Sequence, residues 1–372
     1  MKVPFVDLTT VTQQVKADYL SAVSALLDKN HFILTEEVAA FEQQWAATVG
    51  TKYCVAVSNG ADALYLALQA CGVGAGDEVI TQGNAYNASV TAIMRTGAVP
   101  RFADVKADTL TLDVSRIEPL INEKTKAILP VHLYGQPNDL AAITALAQKH
   151  QLKVIEDCAQ AHLATFEGKL VGGWGDAGAF SFYPTKNLGA FGDAGAVTTN
   201  DEKMYREILA RRDLGQVQKN DHRYLGTNMR CDPVQAIALS LKLNYLRANT
   251  QARQAAALRY DELIAKISGT VITPVGRSPQ AEHVYHLYAV QINGRERDAV
   301  MATLIEQGIQ PAIHYPTVVC RQPFYHGPKD SCPVAEAAAK KILSLPLFVG
   351  ITEAQQQSVV DALAAAVRTS SG

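Results

Sequence analysis

Seven short apolar runs, YCVAV, EVIT, VPRFADV, TKAILPV, LKVIED, AGAFSF and AGAVTT, recur between Tyr53 and Thr199, most of them separated by longer helical patterns. The intervening stretches ADALYLALQAC and DLAAITALAQKH place apolar residues three and four apart, the period of a helix with one buried face. This alternation predicts an α/β domain around a mostly parallel sheet, since parallel neighbours need a crossover between them. In such sheets functional groups gather at the carboxyl ends of the strands.

An irregular start and a helix-like stretch around Thr12 to Leu27 come before these runs, and a long helical stretch from about Asp232 comes after them. Beyond it the strand VYHLYAVQI and helices near Arg297 to Gln307, Val334 to Leu343 and Thr352 to Val367 make a second domain. A chain of 372 residues, 48% of them hydrophobic, can fill two such cores. Its formal charge of -2 leaves no broad electrostatic footprint for nucleic acid or an anionic membrane. No window has the apolar length of a membrane span, and MKVPFVDLTT has no signal-peptide pattern, so the expected setting is cytoplasmic. The six cysteines are scattered without a CxxC pair, and no HExxH occurs; reduced, mostly buried thiols and no metal are expected.

Three stretches carry chemistry. SFYPTKNLGAFGDAGAV sets Lys186 on a loop of proline and glycine between two strand-like runs. An amine held there out of water is a nucleophile toward aldehydes, although a lysine on a solvated loop fits the same pattern. At YCVAVSNGADALYLALQACG a strand turns into a helix at Ser58-Asn59-Gly60, with Gly72 as the expected stop. Free backbone N–H groups at that helix start suit a phosphate, or form an ordinary capped turn. GVGAGDEVI places its glycines after a helix and before a strand, the wrong order for a dinucleotide fingerprint, and reads as a connecting loop. LKVIEDCAQAH ends a strand on Glu156 and Asp157. One of these acids caps the next helix or needs a cationic partner, such as a pyridinium nitrogen.

In this combination and order, SNGADAL, EDCAQAH and SFYPTKNLGAFGDAGA resemble the DegT/StrS family of sugar aminotransferases, and the likeness extends from VPFVDL and FILTEEVAAFE to the C-terminal helices. The resemblance implies an α/β, fold-type I pyridoxal-phosphate-dependent transferase with a large, mostly parallel-sheet domain and a smaller α+β C-terminal domain. It places an N-terminal segment, 1–30, with the small domain, the large domain at 31–239 and the small one at 240–372. Lys186 matches the lysine that takes the aldehyde of pyridoxal 5'-phosphate and later shuttles protons. Asp157 matches the partner of the pyridine nitrogen, and Gln160 a residue near the phenolic oxygen. Gly60 and Ala61 match the phosphate turn, with Ser181 as a further donor, and Tyr86 matches the aromatic that stacks on the ring. Asn228, in GTNMRCDPVQA, matches an asparagine that reaches the cofactor phosphate of the neighbouring subunit, so a homodimer with shared sites is implied; Arg230 accompanies it at the site or the interface.

The implied reaction takes the amino group of L-glutamate, releases 2-oxoglutarate and aminates a nucleotide-linked oxo-sugar. AIHYPTVVCRQPFY, with His314 and Tyr315, is similar to the HYP segment of family members that aminate C-3 of dTDP-3-oxo-6-deoxyhexoses, and Tyr183, beside the lysine loop, is a candidate to orient the sugar. Amination at C-4 is the alternative, and a junction loop is the plain reading of the HYP segment. A sugar dehydratase, argued against by retention of Lys186, and a non-catalytic regulator on the same fold are the other classes. Three positions depart from the family pattern: Ala61 stands where threonine or serine is usual, Thr35 where glycine is common, and Cys320 where relatives often carry histidine.

Overall fold

The computed structural model describes residues 1–267 and 271–369. Each of the seven apolar runs forms a strand: β1 (Tyr53–Val57), β2 (Glu78–Gln82), β3 (Val99–Ala103), β4 (Thr125–Leu129), β5 (Lys153–Asp157), β6 (Ala177–Ser181) and β7 (Gly195–Thr199). They build one sheet in the order β1-β7-β6-β5-β4-β2-β3. Only β7 runs antiparallel to its neighbours, with Ser181 opposite Gly195 on one side and Val57 opposite Gly195 on the other.

Side chains along the strands alternate between two cores, as a pleated sheet covered on both faces requires. Val55 and Val57 of β1, Ala179 of β6 and Val197 of β7 share a cluster with Leu64 and Leu68. Cys54, Ala56, Phe180 and Ala196 share another with Phe41, Trp45 and Leu239.

The helices before and between these strands are α1 (Thr9–Gln13), α2 (Lys16–Lys29), α3 (Glu36–Val49), α4 (Gly60–Ala70), α5 (Asn87–Arg95) and α6 (Leu140–Lys149). The stretch expected as one helix from Thr12 to Leu27 is thus two, broken at Val15, whose φ of -125° leaves the helical range. Gly72 does stop α4, taking φ +77° just past the cap residue Cys71. The GVGAGDEVI stretch is the loop into β2.

After β7 come α7 (Glu202–Arg212) and α8 (Pro233–Ile264). Ala236, Leu239 and Leu246 of α8 pack with the large sheet, whereas Ala256, Ala257, Tyr260 and Leu263 pack into a third core. That core covers an antiparallel sheet of Ile272–Pro274, Tyr288–Ile292 and Ile342–Leu345. Val3 pairs with Ile309 and is buried in the same core, which ties the N-terminus to this smaller unit. A division at 239/240 therefore passes through a continuous helix with one end in each core. All six cysteines are buried and unpaired. Among the described residues no helix is long and apolar enough to cross a membrane.

Candidate active site

At the carboxyl ends of β1, β2, β4, β5 and β6 lies a cavity of about 530 Å³. It brings together Gly60, Ala61, Tyr86, Asp157, Gln160, Ser181, Tyr183, Lys186, His314 and Tyr315, which come from five separated stretches of sequence.

The two acids at the end of β5 part company because successive side chains of a strand point to opposite faces. Glu156 turns away from the cavity and is fully buried. It accepts N–H bonds from Gly172 (2.8 Å), Trp174 (2.8 Å) and Gly175 (2.9 Å) and lies 3.2 Å from Nε2 of His132. Burial pushes its carboxyl up, but His132 and these N–H groups hold it below its ordinary value. Glu156 is thus an anion matched within the fold; His132 and Cys158 beside it form no open metal site, since its oxygens are already engaged.

Asp157 faces the cavity. Its Oδ2 accepts from the hydroxyl of Ser89 at 2.7 Å and its Oδ1 from the N–H of Ala159 at 3.1 Å. Burial nevertheless leaves its pKa raised, so this carboxylate calls for a further positive partner.

Lys186 is carried by the hairpin between β6 and β7. Its N–H donates to Tyr183 O (2.8 Å), and the N–H of Ala190 donates to Phe182 O (2.8 Å), closing the loop at its base. Burial lowers the amine's pKa to about 8, against the opposing charge of Asp157. Among the described residues no hydrogen-bond partner or salt bridge takes up the amine. A neutral fraction near physiological pH makes it a competent nucleophile and base.

The opposite wall is the start of α4. Asn59 caps it, its Oδ1 accepting the N–H of Asp62 at 2.8 Å, while the N–H groups of Gly60 and Ala61 belong to the first turn and have no intrahelical acceptor. Glycine is required at 60: a Cβ there would lie 2.6 Å from Cβ of Ser181. Tyr86 is 57% exposed at the head of α5, its ring 5.3 Å from that of Tyr315, so it is a cavity wall and not a core aromatic. Gln160 spans the wall, accepting from the N–H of Tyr134 (2.6 Å) and donating to the Tyr315 hydroxyl (3.3 Å). His314 is anchored by Ser344 Oγ at 2.9 Å, and burial lowers its pKa to about 4, so it stays neutral.

Asn228 and Arg230 lie outside this cavity. Arg230 donates to Asn228 Oδ1 (2.9 Å) and Asp213 Oδ1 (3.0 Å), and Asn228 is exposed. Among the contributors that the sequence reading did not single out are Ser89, Tyr134, Thr185, Asp193 and His286. Ser89 had a usable signal, lying one helical turn after Tyr86. Tyr134 had none, because its position depends on a left-handed backbone, φ +64°.

The donor set fits pyridoxal 5'-phosphate: free N–H groups and the Ser181 hydroxyl suit the phosphate, Asp157 the ring nitrogen, Tyr86 the ring face and Lys186 the aldehyde.

Residues 13–364 match the DegT/DnrJ/EryC1/StrS aminotransferase family. A dTDP-3-amino-3,6-dideoxy-alpha-D-galactopyranose transaminase of Aneurinibacillus thermoaerophilus is 41% identical, the match covering 97% of this chain and 98% of that one. A pleiotropic regulatory protein of Geobacillus stearothermophilus is 40% identical over 98% of both chains. The crystal structure of Streptomyces venezuelae DesV in complex with a ketimine intermediate superposes with a TM-score of 0.93, at 38% identity over 98% of both chains.

Proposed function

The chain belongs to the DegT/DnrJ/EryC1/StrS aminotransferase family, and we propose that it is a pyridoxal-phosphate-dependent enzyme transferring an amino group from L-glutamate to C-3 of a nucleotide-linked 3-oxo-hexose. One observation carries the reading: a half-buried lysine with no hydrogen-bond or ion-pair partner among the described residues and a buried carboxylate line the same cavity as an open helix start. Pyridoxal phosphate supplies the electron sink that makes the bond at the aminated carbon labile.

The chain's own groups then have distinct tasks. Asp157, steadied by Ser89 and Ala159, would pair with the ring nitrogen and keep it protonated. Gly60, Ala61 and Ser181 would hold the phosphate, and Tyr86 would lie against the ring. Lys186, once released, takes the proton from the donor's α-carbon and returns one to the sugar carbon, a role suited to an amine with a pKa of about 8. Tyr183, His314 and Tyr315 border the space left for the sugar.

We assign the acceptor as a dTDP-3-oxo-6-deoxyhexose, which the Aneurinibacillus relative's name supports. A homodimer belongs to the same reading. It brings Asn228 to the neighbouring cavity, consistent with that residue's exposure and its distance from the cavity of its own chain. A cytoplasmic setting agrees with six unpaired, buried thiols. The presence of both Lys186 and Asp157 favours catalysis over a purely regulatory role.

The test is a panel of dTDP-, UDP- and GDP-linked 3-oxo and 4-oxo sugars incubated with glutamate and read by mass spectrometry. Amination of 3-oxo sugars is expected; products from 4-oxo sugars alone would overturn the C-3 assignment.

A further inference from the structure

Behind the lysine loop, on the side away from the main cavity, α8 presents a second amine to which the proposed reaction gives no task. Lys242 is 8% exposed, and its Nζ donates to the carbonyl of Gly189 at 2.7 Å. The same nitrogen lies 3.9 Å from the centroid of the Phe191 ring, itself edge-on to Tyr19. Among the described residues no carboxylate lies within salt-bridge distance of it. A charged amine so placed is costly, because one carbonyl and one ring face replace only part of its hydration. An apolar residue of the same length would be the cheaper choice for packing α8.

The group that this amine holds explains its presence. Gly189 closes the loop that begins at Pro184: a Cβ on Gly189 would stand 2.2 Å from the Pro184 carbonyl oxygen, so the two ends of the loop are in contact. Fixing the Gly189 carbonyl therefore fixes Pro184 as well, and Lys186 lies between them. From the opposite side Asn187 donates to Val284 O at 3.0 Å, and its Oδ1 lies 3.3 Å from Nδ1 of His286. A small cavity of about 20 Å³, lined among others by Asp7, Lys186, Gly189, Lys242 and Arg253, lies behind the loop.

We propose that Lys242 is a positioning residue for Lys186: through its bond to the Gly189 carbonyl it sets where the reactive amine stands in the cavity. This rests on the reading of Lys186 as the lysine that carries the cofactor. Burial lowers the pKa of Lys242 to about 8, so at neutral pH it still donates as an ammonium.

The experiment uses full-length protein with pyridoxal 5'-phosphate and compares wild type with Lys242→Met, Lys242→Arg and Phe191→Leu. Visible absorbance, visible circular dichroism, the kcat and KM of the glutamate half-reaction and apo-protein melting are measured. Lys242→Met is expected to take up cofactor with an altered visible circular dichroism, and its kcat to fall by about 100-fold, the scale of a small misplacement of a catalytic group. KM and melting temperature should stay close to wild type, Lys242→Arg should recover most of the rate, and Phe191→Leu should give a smaller loss of the same kind. Wild-type rate and dichroism in Lys242→Met, or a loss that tracks melting and is not recovered by arginine, would overturn the proposal. So would a methionine variant that does not fold while Phe191→Leu is fully active. A wild-type protein without a cofactor band sinks the reading of Lys186 itself, and this inference with it.

Discussion

The hydroxyl of Ser89 donates to Oδ2 of Asp157 at 2.7 Å, so the helix that begins at Tyr86 also holds the carboxylate at the end of β5. Ser89→Ala removes that donor from a buried acid whose pKa is already raised by burial. The acid limb of the kcat–pH profile is expected to move to higher pH, because less of Asp157 is ionised at any given pH. A buried acceptor left unpaired costs about 1–3 kcal/mol, so urea unfolding should show a matching loss. Ser89→Thr should keep both properties near wild type; an unmoved profile in Ser89→Ala would show that Asp157 does not depend on this bond.

Removing the amine at Lys186 has a pH signature in the apo protein. Its folded pKa, about 8, lies below its ordinary value of 10.5, so the penalty of burying the charge is present below pH 8 and vanishes as pH rises toward 10.5. Lys186→Met should therefore be more stable than wild type at pH 7, and the difference should shrink between pH 8 and 10.5. Buried thiols lower the stability of both proteins at high pH, which makes the difference between paired urea titrations the quantity to read. The same variant should lose the cofactor's visible band and all turnover.

Glu156→Gln should damage the fold while sparing the chemistry. It removes the charge from a carboxylate that serves His132 and three backbone N–H groups, and breaking one partner of such a buried set costs about 3–5 kcal/mol. At pH 7 the folded fraction should still show the cofactor band. Because its folded pKa is lowered, Glu156 contributes stability that is lost as pH falls below its ordinary 4.5, so the wild type's acid-unfolding midpoint should lie apart from the variant's. Loss of the band in well-folded Glu156→Gln would place this residue at the site after all.

At the phosphate end, Gly60→Ala drives a methyl group to 2.6 Å from Cβ of Ser181. Cofactor affinity is expected to fall by about tenfold or more, the equivalent of about 1.4 kcal/mol, in equilibrium dialysis. Ala61→Thr, which restores a hydroxyl common in relatives, should tighten binding; a weaker complex would mean that the turn has no room for that side chain.

Much of this architecture was legible because strands and helices differ in period. Each strand of the large sheet coincides with an apolar run, and Asp157, Lys186 and Tyr86 stand where those runs end. The strand pattern alone left Glu156 and Asp157 open, since both come at the end of the same run; the family resemblance pointed to Asp157, and the direction each side chain takes is what separates them. Tyr134 and His286 escaped notice for a related reason: one depends on a left-handed turn, the other on a hydrogen bond to a residue 99 positions away. Asn228 and Arg230 lie outside the cavity of their own chain, so their proposed role belongs to the neighbouring subunit's site. The break at Val15 interrupts a pattern whose apolar spacing continues across it, which is why one helix was expected there.

The reversal of β7 has a consequence for how accurately the site is built. Gly195 faces Ser181 across the ladder, and a Cβ on it would lie 2.4 Å from the carbonyl carbon of Asn59. The phosphate turn and the lysine hairpin therefore abut at one residue without a side chain. The spacing between the two ends of the proposed cofactor site is thus gauged by main chain.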